Sequence, residues 1–161
     1  MAQNFAVGQS LLFANTIKPQ SDASARSGDF VTLARAHKGF FLCQAVIGSG
    51  AVTFTLQQAT NTSGAGAKAF TNNARIWLVD DTTIANPVPV RQADGVAFTT
   101  TAVASNKMVI FEVDPAMLDT ANGFTSATVN SGGSGAAQSV SAQFIATPRS
   151  AEDQAASPRV N

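Results

Sequence analysis

His37 is the only histidine of the chain and Cys43 the only cysteine. These two residue types carry most nucleophilic, general-base and metal-binding chemistry, so their scarcity bounds what the chain can do. Any Ser-His-Asp relay must pass through His37, which stands beside Lys38. A zinc site takes several His, Cys or carboxylate ligands, and one His with one Cys does not complete it within a chain. Three copies of His37 converging on a trimer axis form the alternative. His37 is otherwise expected in a loop or at a strand edge. Cys43, inside GFFLCQAVI, is expected to pack as a small core hydrophobe.

Asp80 and Asp81 are adjacent carboxylates. Glycosidase pairs face each other across a cleft, whereas neighbours on a strand point to opposite faces. The expectation is therefore a turn with Asx hydrogen bonds, the alternative being a calcium contribution from Asp80, Asp81 or Asp94. Gly64-Ala65-Gly66-Ala67-Lys68 is superficially like a phosphate loop, but it lacks the GxxxxGK[ST] spacing and a helical pattern after it. It reads as a loop. These residues predict no catalytic centre, no cofactor and no metal, and hence a protein that is not an enzyme.

Charge narrows the partners. The 161 residues carry ten basic and ten acidic side chains, a net charge of zero, and only 12% of residues are charged. Typical soluble domains have roughly 25%. Binding to phosphate backbones needs clustered Lys and Arg, and here they are scattered, so no direct nucleic-acid partner is expected. No basic leader followed by an apolar stretch opens the sequence, and no run approaches the roughly 20 apolar residues of a membrane helix. The expectation is folding in a reducing cytosol with no membrane partner. Eleven Phe, one Trp and no Tyr point to dry packing, and away from the polar-edged stacking platforms of glycan binders.

The elements that position these residues read as strands. Residues 30–35, 40–47, 51–58, 75–79, 96–101, 107–113, 124–129 and 139–147 carry β patterns separated by turn clusters. Residues 40–47 are almost continuously apolar, as expected of a central strand buried on both faces. Val52, Phe54 and Leu56 alternate with Thr53, Thr55 and Gln57, and Val140, Ala142, Phe144 and Ala146 share one face. Gly48-Ser49-Gly50 reads as a hairpin turn, and residues 86–90, with two prolines, as an edge segment. Asp114 before Pro115 predicts a capped helical turn that Gly123 ends. Eight or nine short strands and almost no helix predict an all-β fold, an antiparallel sandwich or jelly-roll-like barrel. Three segments follow: an N-terminal arm (residues 1–28, with a short strand near 10–14), the β domain (29–147) and a C-terminal tail (148–161).

FTLQQATNTSGAGAKAF, ARIW, VIFEVDPAMLDTANGF and SVSAQFIATPR occur in that order. This set resembles small β-rich proteins of tailed bacteriophages, the head decoration or cement proteins and related minor capsid components. The resemblance covers residues 30 to 147, and none of its motifs is catalytic. It implies a virion protein, made in the host cytoplasm, that sits as a homotrimer on the outer surface of the head. There it binds the major capsid protein and bridges capsomers. In that setting the arms would make the contacts, with Phe5, Leu11, Leu12 and Phe13 on one side and Arg149 and Arg159 on the other. A tail tube or neck component is the alternative within virions, and a host-receptor or glycan-binding module the alternative of another class.

Overall fold

The computed structural model describes residues 11–134 and 138–149. The fold is an all-β antiparallel sandwich. A six-stranded sheet has the order β1-β11-β3-β9-β6-β7, comprising β1 (Leu12–Ser21), β11 (Ser139–Pro148), β3 (Ala36–Ile47), β9 (Ser105–Val113), β6 (Arg75–Val79) and β7 (Val90–Arg91). The second sheet has the order β2-β10-β4-β5, comprising β2 (Val31–Thr32), β10 (Ser126–Ser131), β4 (Thr53–Ala59) and β5 (Lys68–Ala69). The short β8 (Ala97–Thr99) also pairs with β4.

Side-chain alternation explains why the two sheets stack. In β3, Phe41, Cys43, Ala45 and Ile47 are buried, and the intervening Phe40, Leu42, Gln44 and Val46 are not. β9 contributes Val109, Phe111 and Val113, and β11 contributes Val140, Ala142, Phe144 and Ala146. From the other sheet come Val31, Phe54, Leu56, Ala127 and Val129, all in the same core cluster. The Phe41 and Phe144 rings lie 5.0 Å apart at 46°, a tilted arrangement favoured by the aromatic quadrupole. Gly39 makes room for them, since a Cβ there would lie 2.5 Å from Phe144 Cε2. Cys43 is fully buried, and desolvation pushes its thiol pKa far up, so it packs as a hydrophobe.

Three expectations change. Residues 40–47 are not buried on both faces, because among the described residues no layer covers the outer side of β3. Gly48-Ser49-Gly50 is no hairpin turn. It carries the chain from β3 in one sheet to β4 in the other, held by the buried Gln138, whose Oε1 accepts from Gly48 N at 2.6 Å and whose Nε2 donates to Gly50 O at 2.7 Å. Residues 12–21, assigned above to an arm, form a full strand. β1 pairs with β11 from Leu12↔Ala146 to Ser21↔Ser139, and Leu12, Ala14 and Ile17 enter the core. A buried apolar row outweighs the irregular period that hid it: the register shifts between Asn15 and Ile17 and again between Ile17 and Gln20. Such bulges break a period of two.

The segment joining β9 to β10 follows the predicted chemistry. Asp114 accepts from Ala116 N at 2.8 Å and caps a 3-10 turn, Pro115–Met117, and Gly123 ends a second, Thr120–Asn122, in the left-handed region at φ 78°. Buried Gln58 ties this segment to the second sheet, accepting from Asp119 N at 2.8 Å and donating to Ala69 O at 3.1 Å. Asp119 accepts from Lys68 Nζ at 2.6 Å, which sits 4.2 Å above the Phe124 ring, and from Asn122 Nδ2 at 2.9 Å. The Lys68 hydrogen bond, followed by that from Asn122, holds the Asp119 carboxyl below its ordinary pKa. At the opposite end, Asp81 accepts from Thr83 N at 2.8 Å and from Thr83 Oγ1 at 2.6 Å, an Asx turn that lowers its pKa.

One buried charge escaped the sequence reading. Lys107 occupies a core-facing position of β9, with its side chain 0% exposed. Its ammonium reaches the sandwich end, donating to Asp80 Oδ1 at 2.6 Å and Asp80 O at 3.0 Å. The stem packs as apolar surface while the head reaches a carboxylate that is itself 61% exposed.

Three outcomes follow from these contacts. Gly28→Ala should destabilise by about 1–3 kcal/mol, because the new Cβ overlaps the Val129 carbonyl oxygen and lies 2.5 Å from Thr128 Oγ1; chemical denaturation measures this. Asp80→Ala should cost about 1–3 kcal/mol by leaving a buried ammonium short of its anion, and Lys107→Met, which removes that charge and keeps the stem, should cost less. Asp119 and Asp81 have depressed pKa values, so the stability they confer is present above about pH 4, the ordinary carboxylate value, and is lost as pH falls through the folded values. Tm should therefore drop on acidification below that pH, and Asp119→Asn should flatten the drop.

Candidate functional site

The outer face of the six-stranded sheet is the most unusual surface of the molecule. In an ordinary half-exposed antiparallel sheet this face is polar. Here the strand register lays apolar side chains side by side across it. Phe13 of β1 opposes Ile145 of β11, which opposes Phe40 of β3. Two residues further along β3 on the same face, Leu42 opposes Ile110 of β9, which opposes Trp77 of β6. Since Phe40 and Leu42 are same-face neighbours on one strand, the two rows join into an oblique band running from edge strand β1 to β6.

The band has relief. Phe40, Leu42, Trp77, Pro89 and Ile110 line a shallow, open depression of about 470 Å³. Pro89 belongs to the segment before β7, where Val88 and Val90 are also exposed. Phe40, Leu42, Trp77 and Ile110 are half-buried, and Phe13, at the edge, is 48% exposed. An exposed apolar surface made of neighbouring rows, in place of isolated residues, marks a place where something else packs.

The charges around the band are already paired within the chain. Glu112, beside Phe40 on the same face, takes Lys38 on one side and Arg75 Nη1 at 3.6 Å on the other. Arg91 lies 5.6 Å from the Trp77 ring centroid, pairs with Asp94 and donates to Ile76 O at 3.3 Å. Such a surface offers a partner apolar contact and self-neutralised rims, with no strong field of either sign.

The residues expected to make contacts fall in different places. Phe13 is on the band. Leu12, its neighbour, is 2% exposed and belongs to the core, so it is a packing residue and not a contact. Leu11 is half-buried just ahead of β1. Arg149 is exposed past the end of β11, where its N–H donates to Arg35 O and its Nη1 donates to Ala34 O at 3.3 Å. It lines a second open depression with His37, Lys38 and Asp114, at the start of β3 and the end of β9. Phe5 and Arg159 lie outside the described residues. The sequence reading missed Phe40, Leu42, Ile110, Trp77 and Ile145. The available signal was the doubled apolar pattern of residues 40–47, which means either a second covering layer or a sticky face.

His37 is exposed at the start of β3 and Cys43 is in the core, and among the described residues no three His, Cys, Asp or Glu side chains come together. No family model, no curated protein and no solved structure matches this chain.

Proposed function

We propose that this chain is a structural protein of a tailed-phage virion, a head decoration protein that attaches to the outside of the shell through the oblique apolar band. The observation that carries the reading is the band itself: six side chains from five strands held on a rigid sheet, where solvent-facing residues are ordinarily polar. The resemblance of the residue 30–147 pattern to decoration proteins supplies the partner, the major capsid protein.

The band suits attachment in three ways. Its side chains are half-buried beforehand, so little rotamer entropy is lost on contact. Full burial of a Leu or Phe stabilises by about 1.5–3 kcal/mol, of which about half is still available to Phe13 and a smaller part to each of the other band residues. Paired rim charges leave no isolated ion to desolvate. Each contact is modest, and many copies bridging capsomers add up through multivalency. This reading moves the main contact from the terminal segments to the sheet face, with Phe13 common to both.

The test is co-sedimentation of the chain with mature heads lacking it. Saturable binding is expected, with Leu42→Glu weakening it at least tenfold, equivalent to about 1.4 kcal/mol, while Tm stays close to that of the parent chain. Undiminished binding by Leu42→Glu rejects the band as the attachment surface. Absence of head binding together with self-assembly into rings or tubes assigns the chain to the tail or neck. Quenching of Trp77 fluorescence by a glycan would assign it to the receptor-binding class.

A further inference from the structure

The edges of the two sheets are not alike. β2, β5 and β7 are two residues long and β8 is three. β7 follows Pro87 and Pro89 and ends in Arg91. These are the usual ways of blunting an edge, namely shortness, proline and charge. β1 has ten residues and, among the described residues, pairs with a strand on one side only; its second half is blunted by two bulges, by Lys18 and Pro19, and by Asp29 N, which donates to Thr16 O at 2.9 Å. From Leu12 to Asn15 it is regular, uncharged and free of proline. Next to this open stretch, on the outer face, stands Phe13, 48% exposed.

We propose that two copies of the chain join through this edge, β1 against β1 of the partner, antiparallel about a two-fold axis at Phe13. Geometry selects the register. A two-fold pairing places residue i opposite j with i + j constant, and directly opposite residues share a face of the sheet. An odd sum would set core-facing Leu12 against outward Phe13. An even sum keeps the faces apart. Centring on Phe13 sets the two phenyl rings side by side and Leu12 against Ala14 of the partner, whose core-facing row then continues across the join. The other edges offer two or three residues, so a head-to-tail pairing of β1 with one of them gains fewer hydrogen bonds than pairing with itself. Zero net charge removes long-range repulsion between copies.

The consequence is directional. The axis stands perpendicular to the joined sheet, so both oblique bands face the same way and meet at the paired Phe13 rings. Two six-stranded sheets become one of twelve strands with a single continuous apolar platform. This contact is two-fold, unlike the three-fold association implied by the resemblance. It holds whether or not the platform's target is a capsid.

Sedimentation analysis of the full chain without heads tests it. A species of twice the 16.5 kDa chain mass is expected, and Phe13→Lys should give the single-chain mass with an unchanged far-ultraviolet spectrum. In a second measurement, Phe13→Cys is exposed to oxidised glutathione, which accepts the two electrons and two protons of the disulfide formed. A covalent dimer should appear on a non-reducing gel. Phe40→Cys, on the same face but two strands inward, should stay monomeric, and Cys43 is buried away from the reagent. A monomer at every concentration overturns the proposal, as does a trimer, a Phe13→Cys chain that fails to cross-link, or a covalent dimer from Phe40→Cys, which would mean face-to-face packing. None of these outcomes depends on head binding, so a failure here is distinct from failure of the attachment role.

Discussion

The register of β3 is the constraint on which the rest of the structure depends. It hydrogen-bonds to β11 on one side and β9 on the other. Its inward residues, Gly39, Phe41, Cys43, Ala45 and Ile47, meet the second sheet, and its outward ones include Phe40 and Leu42, the joint of the surface band. A slip of one residue would exchange the two sets. It would put Lys38 and Gln44 into the core and remove the gap that Gly39 leaves beneath Phe144. Since the middle of both faces is apolar, Phe40 to Cys43 alone cannot choose the register. The ends of the strand do: Lys38 and Gln44 belong in solvent, and Gly39 leaves the space that Phe144 fills.

That ambiguity explains what was legible in the sequence. Strands with a single apolar face, such as β4 with Phe54 and Leu56 and β11 with Val140 to Ala146, could be read from alternation because the polar residues mark the solvent side. The capped turn at Asp114 was legible because its chemistry is local, involving an acceptor, a proline and a glycine within ten residues. β1 was only partly legible, since its two bulges shift the period and its partner lies at the far end of the chain. The band was legible only at Phe13 and in the doubled apolar pattern of residues 40–47. Phe13, Ile145, Phe40, Leu42, Ile110 and Trp77 become neighbours only through the strand order, and no local spacing encodes that order.

Charge is used sparingly, and its use is positional. Lys107 with Asp80 closes one end of the sandwich, and Lys68 with Asp119 fastens the β9–β10 connection over Phe124. Lys38, Glu112 and Arg75 border the apolar band. Placed singly like this, ion pairs add little to stability but exclude alternatives, since a sheet shifted by one residue strands a charge. A chain with few charged residues can be specified this way while most of its surface stays neutral.

The strand order also sets a schedule. β11, the last strand among the described residues, is not at the margin of its sheet but between β1 and β3, the first two described strands to enter it. Until residues 139–148 have left the ribosome, β1 has no partner and β3 lacks one of its two. A product truncated before β11 therefore cannot form the six-stranded sheet. Synthesis of β11 and formation of the binding face are therefore coupled, because the apolar band is assembled only in chains that include residues 139–148.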